Sequence, residues 1–185
     1  MEKCNRKLVD PVYSMCVQPS FIIGTNNEDG SYNFAPITWV SATQGEDEDF
    51  ATTGSGHVIH LNASYFCNLD LLKKAYSDAV EAGDFVAGTD WRAIGRHETG
   101  HVVANTYNID SLGLIVEILD ITSKAELFYR LGKELSIYSA AYSDGREIIS
   151  ESFSGYYSKV GNVIANAFVN RCLALRKAGD QDEGL

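Results

Sequence analysis

The chain has 185 residues, enough for one domain with a sizeable core or a domain with a short appendage. Hydrophobic residues make up 45% and charged residues 22%, a globular profile, and no apolar run approaches the ~18 residues of a membrane span. The net charge of −10 argues against a nucleic-acid or anionic-membrane surface as partner. The start of the chain lacks the apolar stretch of a signal peptide, and Cys4, Cys16, Cys67 and Cys172 form no C-x-x-C. Reduced, mostly buried thiols and a cytoplasmic location are therefore expected.

Residues 20–25 and 32–41 are strand-like, joined by the turn-forming Asn26, Asn27, Glu28, Asp29 and Gly30. Pro36 confines the second run to an edge or a bulge. Residues 1–43 resemble the opening of the flavin-reductase-like, FMN-binding split-barrel family. The likeness rests on Gln18-Pro19, Ile23-Gly24-Thr25, Glu28-Asp29-Gly30 and the run from Asn33 through Pro36 and Trp39 to Ser41. It implies FMN as an alternative cofactor, bound around Asn33 to Ser41. The likeness stops at the acidic Glu46-Asp47-Glu48-Asp49, and a lone hairpin cannot enclose a flavin. Residues 1–43 are thus expected to be a β-hairpin appendage, packed on the main domain or on a second copy of the chain. Residues 44–49 follow as an acidic linker.

Residues 56–62 alternate like a strand, with Val58, His60 and Asn62 on one face and His57, Ile59 and Leu61 on the other. The expected role is the edge of a substrate cleft, with His57 and His60 as minor ligand candidates. A supporting core helix is predicted from Asn68 or Asp70 to Gly83. The loop 83–90 leads to the most informative stretch of the chain.

That stretch, 91–105, contains His97-Glu98-Thr99-Gly100-His101, an HExxH arrangement. On a helix, residues four apart stand above one another, so both imidazoles can grip one Zn²⁺. Glu98 then lies beside them to take a proton from a water held there. Trp91, Ile94, Val102 and Val103 mark the helix as buried, and Asp90 is the expected N-cap. Two histidines on a buried helix need partners.

Beyond Asn108, helices are predicted over 111–119 and, as one or two pieces, from Ser123 to about Tyr142. Ser143, Asp144 and Gly145 form a turn. The helix over 146–157 stacks Glu147 and Glu151 at i and i+4, a pair that repels unless positive charge lies beside it. A zinc site with two histidines meets that need: one carboxylate binds the metal and the other accepts a hydrogen bond from a ligand imidazole. Gly161 and Asn162 end this helix, and an amphipathic helix over 163–176 closes the fold. Residues 179–185 are expected to form a disordered acidic tail.

Residues 50–175 resemble the zincin-like, gluzincin-type metallopeptidase domains of phage head (minor capsid) proteins. The ordered set comprises the 56–62 strand, the lead-in Thr89 to Ile94, and the HExxH motif. It continues with the run 135–140 around Tyr138 and the run 147–157. The likeness implies His97, His101 and Glu147 as zinc ligands, Glu98 as general base and Glu151 as support for a ligand. It also implies a tyrosine that stabilises the oxyanion, Tyr138 or else Tyr142.

The expected fold is α+β, a mostly helical zincin-like domain over 50–178 with a small sheet and an N-terminal hairpin. The expected activity is zinc-dependent hydrolysis of a peptide or protein substrate. Two alternatives stand beside it: an FMN-binding reductase or its remnant, and an inactive zincin-fold module of a phage-derived particle.

Overall fold

The computed structural model describes residues 21–26, 32–37, 40–43, 49–54 and 58–182. The predicted hairpin turn after Asn26, the acidic residues 44–48, His57, Cys4, Cys16 and residues 183–185 lie outside them. Two compact units divide the chain, Met1–Leu69 and Asp70–Leu185. The architecture is α+β, mostly helical with small sheets.

In the first unit, β1 (Phe21–Asn26) and β2 (Tyr32–Ile37) pair antiparallel, with Phe21 opposite Ile37 and Asn26 opposite Tyr32. Both strands of so small a sheet are edges, which is where a residue such as Pro36 belongs. The second predicted run does not continue unbroken. After Ile37 the chain re-forms as β3 (Val40–Thr43), which joins a different, three-stranded sheet. Its central strand is β5 (Ile59–Asn62), parallel to β3 and antiparallel to β4 (Ala51–Thr53). This pairing links residues on both sides of the acidic 44–49 stretch.

The expected alternation along 56–62 fails at Asn62, which is buried together with Ile59 and Leu61. Its amide is consumed locally: Oδ1 accepts from Ser64 N to cap α1 (Ala63–Phe66), and Nδ2 donates to Asp49 O at 3.0 Å. Cys67, just beyond, is exposed rather than buried, and Cys172 is half-buried.

The second unit is helical. It comprises α2 (Leu69–Ala82), α3 (Ala93–Tyr107), α4 (Ser111–Leu119), α5 (Lys124–Glu134), a 3₁₀ turn (Tyr138–Ala140), α6 (Arg146–Tyr157) and α7 (Val163–Asp182). The regular part of α3 begins two residues later than predicted and ends two later. Arg92, not the expected Asp90, is the N-cap, because Asp90 sits in the preceding turn, where it accepts from Arg92 N at 2.9 Å and the chain winds in through tight bonds from Ala93 N to Asp90 O and from Ile94 N to Trp91 O. The predicted 123–142 stretch divides after Glu134, and Ser123 caps its helix. The closing helix runs to Asp182, six residues beyond the predicted end, because Gly179 weakens a helix without breaking it.

Helix α6 is the axis of this unit. Every residue from Glu147 to Gly155 is buried. Ile148, Ile149 and Phe153 belong to the apolar core with Ile115, Leu127, Leu131, Ile164, Phe168 and Val169. Its N-terminus follows Gly145, whose backbone is left-handed (φ 70°) and where a Cβ would meet Ile148 and Leu112. No pair of elements packs more extensively than α3 and α6. Gly100 sits at that crossing: a Cβ there would lie 2.6 Å from Ser150 Cα. The two backbones therefore touch, which brings the histidines of one helix against the carboxylates of the other.

Candidate metal centre

His97 and His101 lie one turn apart on α3, and Glu147 and Glu151 one turn apart on the facing α6. Glu147 Oε2 is 3.2 Å from His97 Nε2 and 3.1 Å from His101 Nε2. The three ligand atoms all fall within 4.8 Å of one another. Glu147 Oε2 is a buried oxygen on which both imidazoles converge at ion-pair distance, with neither contact in good hydrogen-bond geometry. Tetrahedral ligands at about 2.0–2.1 Å from a Zn²⁺ stand about 3.3–3.4 Å apart, so two nitrogens and one carboxylate oxygen at these separations suit such an ion. This buried group can hold a metal ion.

Behind His97, Glu151 Oε1 lies 2.8 Å from Nδ1 and is wholly buried. With Nδ1–H donating to Glu151, Nε2 is left free as a lone pair facing Glu147 and His101, the tautomer a metal ligand requires. Glu98 follows on α3 and is 4% exposed. Three carboxylates thus share one interior with two imidazoles. Buried carboxylates side by side are costly unless a proton or a cation offsets their charge.

The protonation equilibria of the metal-free site carry the same imprint. Burial disfavours a charged His97, but Glu147, Glu151 and Glu98 outweigh it and raise the imidazolium to about 10. Burial likewise works against an ionised Glu147, yet His101 and His97 bring its carboxyl down to about 2.

The two tyrosines differ in depth. The Tyr138 ring stands 5.8 Å from the His97 ring, centroid to centroid, and is half-buried. Tyr142 lies one ring further out, 6.2 Å from Tyr138 and 41% exposed. Of the minor ligand candidates, His60 belongs to β5 in the other unit.

Three contributors escaped the sequence reading. Phe85, in the loop before α3, stands edge-on to His97 at 6.5 Å and also touches Tyr138. Tyr76 stacks on Phe85 at 5.1 Å, and its hydroxyl is 3.0 Å from Thr89 Oγ1, which itself donates to Val86 O. Gly100 permits the close helix crossing. Only Gly100 left a readable trace, as the small residue directly before the second histidine.

Fold and site together define a mostly helical α+β protein with a buried two-histidine, one-carboxylate cluster. Set against known protein families, curated proteins and solved structures, the chain matches none.

Proposed function

We propose that the chain is a zinc-dependent endopeptidase of gluzincin type, held by His97, His101 and Glu147 at its metal. The observation that supports this best is the convergence of two imidazole nitrogens on one buried carboxylate oxygen in an acid-rich interior. A bound Zn²⁺ would supply Lewis acidity, easing deprotonation of water and polarising a peptide carbonyl. The work of the chain's own groups follows from their positions. Glu98, adjacent to a ligand on the same turn, is the base that takes the water proton and returns it to the leaving amine. Glu151 holds the His97 ring in one tautomer and one orientation. Tyr138, beside His97, is the hydroxyl donor for the oxyanion of the tetrahedral intermediate. The order of these residues along the chain also favours kinship with phage-head zincin-like domains.

Metal analysis and one variant test the reading. The purified chain is expected to carry about one zinc per molecule and to cleave a mixed peptide library. Glu98→Gln should keep the zinc and lose at least about 100-fold in cleavage rate. Absence of tight transition metal at neutral pH refutes the proposal. Zinc without cleavage by the unaltered chain would leave the inactive zincin-fold module as the correct reading.

A further inference from the structure

The peptidase reading leaves open which side chains of a substrate the site prefers, and the rings leading outward from His97 bear on that question. Tyr138 lies beside the His97 ring on one side and forms a T-shaped pair with Tyr142 on the other, at an interplanar angle of 87°. Tyr142 occupies the irregular stretch between the 3₁₀ turn and α6, yet it is pinned. The Arg146 guanidinium sits 4.8 Å from its ring centroid. Arg146 is itself fixed by Asp144, with Nε 3.0 Å and Nη2 2.6 Å from Oδ2. A large ring 41% open to solvent, held on two sides and one ring away from a metal ligand, is a preformed platform.

Its chemistry selects the occupant. The Arg146 guanidinium over the ring is paired with Asp144, so its charge is not free to attract an acidic side chain. The ridge offers aromatic faces and edges, which favour another aromatic ring or a large aliphatic group. We propose that Tyr142, backed by Tyr138, is a specificity-determining residue that receives an aromatic or bulky apolar side chain flanking the scissile bond. The proposal rests on the peptidase reading. The class of substrate is then a peptide with such a residue next to the cleaved bond.

Two hydroxamates separate the platform from the metal. Glycine hydroxamate and phenylalanine hydroxamate present the same chelating group and differ in side chain. Calorimetric titration into the zinc-loaded full chain should show the phenylalanine compound binding about tenfold tighter. Tyr142→Ala should bring the two within about twofold while leaving glycine hydroxamate unchanged, and Tyr142→Phe should keep the preference. Equal affinities in the unaltered chain, or a preference that survives Tyr142→Ala, overturn the platform and leave the metal site standing. If neither hydroxamate binds the zinc-loaded chain, or the chain holds no zinc, the peptidase reading falls and takes the platform with it.

Discussion

Glu151 is wholly buried, with one oxygen on His97 Nδ1 and the other without a hydrogen-bond partner. A carboxylate so placed is tolerated because positive charge lies within reach: an imidazolium in the metal-free chain, a metal and its ligands in the loaded one. The neutral, isosteric Glu151→Gln can still accept from Nδ1 but no longer strengthens His97 as a ligand. We expect a 10–100-fold loss of zinc affinity, read by competition with a chromophoric chelator. Unchanged affinity would remove Glu151 from the site. The two stacked pairs, His97 with His101 and Glu147 with Glu151, were legible in the sequence because helical periodicity alone puts i and i+4 on one face. The sequence does not say which nitrogen of His97 meets which carboxylate, since that depends on how two helices some fifty residues apart cross. Phe85 and Tyr76 were hidden for a similar reason: their ring contacts reach the site from a loop and a helix that carry no motif.

The crossing of α3 and α6 turns on a missing side chain. A methyl at position 100 would collide with the Ser150 backbone at 2.6 Å, whereas at Gly95, on the same helix, nothing lies within 4 Å. Helix propensity favours both substitutions by ~1 kcal/mol, so the pair isolates the packing effect. Gly95→Ala should stabilise the protein by up to about 1 kcal/mol. Gly100→Ala should destabilise it by about 1–3 kcal/mol and weaken zinc binding, because the helices must part to admit the methyl. Urea unfolding of the two variants checks the sign, and a stabilising Gly100→Ala would refute the close crossing. Helices with clear periodicity were readable, α4 and α6 to their ends and α3 to within two residues, while α7 ran six residues past its predicted end. The sheet β3-β5-β4 was not, because strands of three or four residues carry almost no pattern and their pairing is non-local. Asn62 shows the limit residue by residue: its place in an alternating run predicted one face, while its capping of α1 decided its burial.

Three nearly or wholly buried carboxylates in a chain of net charge −10 lie in the helical unit, where a bound cation would offset their charge. Without metal, the carboxylates of Glu147 and Glu151 on α6 have the His97 imidazolium as a compensating charge across the α3–α6 crossing. With metal, α3 and α6 are joined at a point by three side chains, and the bound ion stabilises the folded form by mass action, about 2.7 kcal/mol at a free concentration 100 times its Kd. The sheet strands β3, β4 and β5 contain none of these ligands. Chelation should therefore act locally. Hydrogen exchange of the zinc-loaded chain, before and after a strong chelator, should show faster exchange over 93–107 and 146–157 and little change over 59–62. Uniform acceleration across the chain, or none in α3 and α6, would contradict a metal bridging these two helices. A local response would join sequence to behaviour: two motifs some fifty residues apart fold onto facing helices, the helices meet at a glycine, and a metal held between them would couple their stability to one ion.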